Sequence, residues 1–161
     1  MSSPSLPSSF TISAASVTDL WRKPPAKDDY NAPSKTVRTR LGAFKRARTT
    51  LRADWTRLYD HGGFVVYGPR DATLATQRPE WWIKAGVELF PVEDGPAIAS
   101  VAAAPGNFSW SDWAITPGAG LVGADGSATV ELEVKDGALW FYVIKGDGKR
   151  VALREIRGGR L

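Results

Sequence analysis

Lys84 and Glu88 stand four residues apart in Trp82-Ile83-Lys84-Ala85-Gly86-Val87-Glu88-Leu89, with Gly86 midway between them. An ammonium beside a carboxylate can hold a polar ligand, or move a proton while steadying a developing oxyanion. Side chains alternate across a strand, so Trp82, Lys84 and Glu88 share one face, and Ile83, Ala85, Val87 and Leu89 the other. An indole, a cation and an anion around a glycine gap suit the floor of a site for a small polar molecule. The competing reading is a solvated Lys–Glu pair on a sheet surface, which contributes little.

Trp110-Ser111-Asp112-Trp113 is a second cluster. Alternation puts Ser111 and Trp113 on one face and Trp110 and Asp112 on the other. An indole beside a hydroxyl suits stacking on a sugar or a flat ligand, although large aromatics more often plug cores. Arg46, Arg48 and Arg52, with Thr50 between the last two, fall on alternate positions and line up on one strand face. If that strand neighbours the Trp82 strand, Arg46 and Arg48 offer forked donors to a carboxylate or phosphate beside Lys84. Otherwise they keep an outer strand soluble. His61 lies in Asp60-His61-Gly62-Gly63, which reads as a turn, so it and Asp112 are secondary candidates.

The rest of the chain excludes several chemistries. It has 161 residues, no Cys and 1 His, which rules out disulfides, thiolate metal sites, a Cys nucleophile and multi-His metal centres. No metal or other cofactor is expected. Phosphate loops, zinc-protease and calcium-loop patterns and the Ser nucleophile elbow are all absent. The net charge of +4 is modest, and the arginines alternate with core positions rather than with stacking aromatics, so nucleic acid is not an expected partner. No stretch is long and apolar enough for a membrane helix, and residues 1–9 lack the pattern of a signal peptide. Those features predict a cytoplasmic protein with no membrane partner.

The elements that must position these residues are short strands. Helical periodicity is nearly absent, and alternating runs are separated by Gly, Pro, Asp and Asn turns. Strands are predicted at 10–14, 17–21, 44–54, 64–67, 81–90, 97–103, 108–115, 129–135, 139–144 and 150–156. Residues 22–34 read as a long loop, and Asp136-Gly137 as a hairpin turn. The expected organisation is a flexible tail over 1–9, one all-β antiparallel sandwich or barrel over 10–157 with little or no helix, and a short tail over 158–161.

Several segments in this order resemble a known family. They are Thr18–Pro25 (TDLWRKPP), Tyr30–Pro33 (YNAP), Phe44–Gly63 (FKRARTTLRADWTRLYDHGG), Trp82–Glu88 (WIKAGVE), Ser111–Trp113 (SDW) and Asp147–Glu155 (DGKRVALRE). The chain is similar to domain of unknown function 1349, whose fungal members carry the label "regulation of enolase". The resemblance implies a concanavalin A-like jelly-roll of two packed antiparallel sheets, with any ligand on the concave one. It places Trp82, Lys84, Glu88 and the Ser111–Trp113 segment on or near that surface. The family usually carries Gln at the position of His61, so this chain departs there. Glycosidases of this fold present acids at alternate positions of one strand, where this chain has Lys84, Gly86 and Glu88. A retaining hydrolase needs two close carboxylates, and only Asp112 could supply the second.

Three functions follow as expectations. The first is binding of a saccharide or small polar metabolite by Trp82, Lys84, Glu88, Arg46, Arg48, Ser111 and Trp113. The second is a cofactor-independent isomerase, cyclase or lyase, with Glu88 moving a proton and Lys84 or Arg48 steadying an oxyanion. The third is an interaction module for a metabolic enzyme, and a homodimer is a further expected partner arrangement.

Overall fold

The computed structural model describes residues 6–68, 79, 81–90, 95–104 and 110–157. Ten strands are present among them: β1 (Leu20–Lys23), β2 (Lys27–Tyr30), β3 (Arg46–Arg52), β4 (His61–Tyr67), β5 (Trp82–Leu89), β6 (Pro96–Ala104), β7 (Trp110–Thr116), β8 (Ser127–Lys135), β9 (Ala138–Ile144) and β10 (Arg150–Ile156). The only helical element among the described residues is a short 3₁₀ turn at Leu41–Ala43.

Two four-stranded antiparallel sheets form the sandwich, in the orders β10-β9-β8-β3 and β4-β5-β6-β7. The chain leaves the first sheet after β3, runs the whole β4–β7 meander, and returns to pair β8 along β3. A third, two-stranded unit, β1-β2, stands apart from both ladders.

The alternation read in the sequence builds the core between the sheets. Ile83, Ala85 and Val87 of β5 point inward, against Leu132, Leu139 and Phe141 at one end and Ala128 and Val143 at the other. All are buried, and each large side chain so buried stabilises the fold by about 1.5–3 kcal/mol. The β8–β9 connection is the two-residue hairpin expected from Asp136-Gly137. Both residues have positive φ, 53° and 71°, and Lys135 pairs with Ala138.

Three local expectations are corrected. Residues 10–14 form no strand: Phe10 and Ile12 are exposed and lack a ladder partner. The segment read as a long loop is half hairpin, because Lys27–Tyr30 pairs with Leu20–Lys23. Charged KDDY has poor strand propensity, but Arg22 holds Asp28 at 2.8 Å and Asn31 ties itself to Asp19. Finally, His61-Gly62-Gly63 is not a turn but the start of β4, in register with Gly86-Val87-Glu88. The turn falls one step earlier, where Tyr59 takes a φ of 68° and the Asp60 carboxylate accepts from the N–H groups of Thr56 and Arg57. The predicted beginning of β7 at 108–109 and most of the connection at 70–79 lie outside the described residues. No helix among the described residues is long and apolar enough to cross a membrane.

Candidate functional site

The face of the β4–β7 sheet that looks away from the core carries the chemistry. Register puts His61, Val65 and Tyr67 of β4 beside Glu88, Lys84 and Trp82 of β5, and Ser111 and Trp113 of β7 two strands away. This face is not open sheet, because the β1-β2 hairpin covers part of it. Trp21 and Tyr30 pack on Trp82, Trp21 meets Trp113 edge-on at 5.4 Å, and the Ser111 hydroxyl donates to the Arg22 carbonyl at 2.5 Å. Trp82 is consequently 0% exposed.

Four titratable side chains gather at the hairpin's edge. Lys84 Nζ lies 3.4 Å from His61 Nε2. Asp19 Oδ1, just before β1, lies 3.6 Å from His61 Nε2 and 3.7 Å from Lys84 Nζ. Glu88 stands directly opposite His61 in the ladder. Asp19 is positioned by Asn31, which accepts from the Asp19 N–H at 2.7 Å and returns its own N–H to the Asp19 carbonyl at 3.0 Å. His61 is oriented by the Tyr59 carbonyl, 3.0 Å from Nδ1. A carbonyl can only accept, so Nδ1 carries the proton and the Nε2 lone pair of the neutral ring faces Lys84.

Between the Lys84 row and the His61 row lies the Gly63–Gly86 pair, which has no side chain to separate them. Gly86 is nevertheless no gap awaiting a ligand. A Cβ there would lie 1.9 Å from the Gly62 carbonyl oxygen, so the backbone of β4 already fills that space. An aromatic wall borders the cluster: Trp113 packs edge-on to Phe90 at 4.8 Å and to Tyr59 at 6.5 Å, and Trp21 lies 5.9 Å from Lys84 Nζ.

Burial dominates the electrostatics. Desolvation pushes Lys84 below the ordinary lysine value, against the pull of Asp19 and Glu88. Desolvation pushes Glu88 above the usual carboxylate range, although Lys84 and the nearby Trp113 indole oppose it. Lys84 alone would keep Glu88 ionised, but burial is the larger effect. His61 is lowered first by desolvation and then by the Lys84 charge. The Trp113 Nε1 group is buried and makes no hydrogen bond of good geometry, so it acts on Glu88 only as a neighbouring dipole.

These opposite shifts give one prediction. A lowered His61 favours the folded state above about pH 6.5, and that contribution is lost as pH falls through its folded value. A raised Glu88 favours the folded state at low pH, and its contribution is lost as pH rises above the ordinary range. Between about pH 5 and 6.5, roughly the window between the ordinary values of the two groups, the arms oppose each other. Relative to His61→Gln, the wild type loses stability as pH falls across that window. Relative to Glu88→Gln, it loses stability as pH rises. Urea titrations of the three proteins at each pH read both slopes, and parallel curves for wild type and His61→Gln would remove His61 from the cluster.

The sequence-derived candidates separate cleanly. Lys84, Glu88, His61 and Trp113 come together. Trp82 is on the same face but roofed over, and Ser111 is engaged in holding the hairpin. Arg46 and Arg48 are not at this site, because β3 belongs to the other sheet. There Arg48 binds the fully buried Glu131 at 2.6 Å, with Arg46 at 3.9 Å and Arg150 at 2.9 Å. Asp112 points to the opposite face of β7 and pairs with Arg154 at 2.8 Å, so it gives Glu88 no second carboxylate. The carboxylate that joins the cluster is Asp19, which the residue patterns did not single out. Its only signal was its place in the TDLW segment. Among the described residues no group of three or more His, Cys, Asp or Glu side chains is placed to hold a metal ion.

A β-sandwich with a hairpin-covered acid–base cluster on one outer face is thus the class that fold and site define. By sequence the chain belongs to the family described as protein of unknown function (DUF1349), whose model matches residues 3–158. It is also 32% identical over 151 residues to a protein of Emericella nidulans (strain FGSC A4) described as uncharacterized protein AN7484, covering 94% of this chain and 68% of that one. No solved structure matches it.

Proposed function

We propose that the hairpin-covered face of the β4–β7 sheet binds a small hydroxyl-bearing molecule of the saccharide or polar-metabolite class. One observation carries this reading. Among the described residues, Trp82 Nε1 and Trp113 Nε1 are buried on this face without a hydrogen bond of good geometry, and Asp19 Oδ1 has only its long ion-pair contacts to His61 and Lys84. Buried polar atoms are overwhelmingly satisfied, and an orphan costs about 1–3 kcal/mol. One acceptor and two donors beside aromatic edges match hydroxyl groups, which donate and accept alike.

A second reading, a cofactor-independent isomerase, cyclase or lyase, draws on the His61–Glu88 pair. The two stand opposite each other, one biased toward its unprotonated form and the other toward its protonated form. Environments that push two pKa values apart are how enzymes assign a base and an acid.

A thermal-shift panel of mono- and disaccharides, polyols and hydroxy acids tests the site. A ligand at 100 times its Kd stabilises by about 2.7 kcal/mol, equivalent to roughly 5–10 °C for a chain of this size. Trp113→Ala abolishes the shift, whereas Arg48→Ala on the other sheet keeps it. A shift that survives Trp113→Ala and Lys84→Met would place the ligand elsewhere. With a hit in hand, Glu88→Gln retains binding under the first reading and loses product formation under the second.

A further inference from the structure

We propose that Lys84 is a nucleophile that condenses with an aldehyde or ketone to give a Schiff base, with His61 as the base that frees its amine. The inference rests on the ligand-binding reading of this face and names the substrate class as a carbonyl compound.

A lysine buried for structural reasons sits at hydrogen-bond distance from a carboxylate. Lys84 does not. Its side chain is 11% exposed, its separation from Asp19 is 3.7 Å, and its nearer polar contact is the imidazole Nε2 at 3.4 Å. That nitrogen is the free lone pair of a ring whose other nitrogen is fixed on the Tyr59 carbonyl. A nucleophile in reach of a base, with the base oriented by a third group, is a structural signature of covalent catalysis. The three parts come from separate places in the chain, and the side-chain-free Gly63–Gly86 row lets them meet. Trp21, 5.9 Å from Nζ, and Trp113 supply apolar edges for the body of the carbonyl compound. Desolvation of Lys84 acts in the same direction, toward the free amine.

The chemistry closes without a further reagent. Lys84 ammonium passes a proton to His61 Nε2, and the amine lone pair attacks the carbonyl carbon. A C–N bond forms while the C=O π pair moves to oxygen, which takes the proton back from His61. The second nitrogen proton travels by the same route, the C–O bond breaks, and the nitrogen lone pair closes the C=N bond. Two of the three ammonium protons leave with the carbonyl oxygen as water, and the third stays on the iminium nitrogen.

The test is reductive trapping at pH 7. The folded protein is incubated with glycolaldehyde and cyanoborohydride, and the alkylated lysines are located and timed by peptide mass spectrometry. An exposed lysine is only about 0.04% free amine at that pH. Lys84 is therefore expected to react at least ~10-fold faster than exposed Lys145 and Lys149. In His61→Gln, checked for retained fold by near-UV dichroism, the Lys84 rate falls at least ~10-fold while the exposed lysines keep theirs. Alkylation confined to exposed lysines overturns the proposal, and an unchanged Lys84 rate in His61→Gln removes His61 from it. A hydroxylated ligand that binds beside an inert Lys84 leaves the binding reading standing alone. Alkylation at Lys84 with no hit in the saccharide panel does the reverse.

Discussion

Gly86→Ala is expected to lower the unfolding free energy by about 3 kcal/mol or more, the upper end of what overpacking costs. A Cβ on Gly86 would lie 1.9 Å from the Gly62 carbonyl oxygen and 2.7 Å from Gly63 Cα. The reciprocal substitution is no better: a Cβ on Gly63 meets the Ala85 carbonyl oxygen at 2.2 Å and Gly86 Cα at 2.6 Å. These obstacles are main chain, so no rotamer change relieves them; the β4 and β5 ladders must part. Neither glycine has the left-handed φ that would itself demand glycine, so the requirement here is space alone. Gly146 supplies the control. A Cβ there meets nothing within 4 Å, and its alanine variant should fall within about 0.5 kcal/mol of wild type. Urea unfolding of the three proteins decides the matter, and a Gly86→Ala variant as stable as Gly146→Ala would show that the strands have room to separate. The expected loss also reaches the site, since the same glycine row lets Lys84 and His61 meet.

The fold was largely legible because strand alternation is a short-range signal. Ile83, Ala85 and Val87 against Trp82, Lys84 and Glu88 can be sorted inward and outward from eight residues, and the structure sorts them the same way. The hairpin at Asp136-Gly137 was equally local, because its turn needs positive φ at both positions. Which strands share a sheet is a long-range property, and no local pattern carries it. Arg46 and Arg48 alternate as cleanly as Lys84 and Glu88, yet β3 pairs with β8, so their guanidinium groups close over Glu131. His61 was misplaced for a related reason. Two glycines after a histidine look like turn chemistry, but they serve the close approach of β4 and β5. The roof was illegible because a four-residue charged strand such as KDDY forms only through tertiary contacts. Asp19 remained hidden with it, since its part in the site depends on where that hairpin docks.

Trp82 joins the stability of the roof to the chemistry beneath it, and two substitutions separate those roles. Trp82→Ala is expected to cost about 3–5 kcal/mol, the usual penalty for emptying a fully buried large aromatic site. The indole is 0% exposed and packs on Trp21, Tyr30, Val65, Tyr67 and Trp113, so its loss removes the surface on which the hairpin lies. Trypsin cleavage after Lys27, at the start of β2, should accelerate in step with the lost stability. Trp82→Phe behaves differently. It forfeits part of the ring's packing but also removes an indole N–H that no group among the described residues accepts. Deleting an orphaned buried donor recovers a desolvation cost of about 1–3 kcal/mol, so the net change should lie within about 1 kcal/mol of zero. Ligand binding then tells what the orphan is for. If Trp82 Nε1 donates to the bound molecule, Trp82→Phe weakens binding about 10-fold, the equivalent of roughly 1.4 kcal/mol, at nearly unchanged stability. Undiminished binding would confine Trp82 to anchoring the hairpin, and leave Asp19 Oδ1 and Trp113 Nε1 as the groups that meet the ligand.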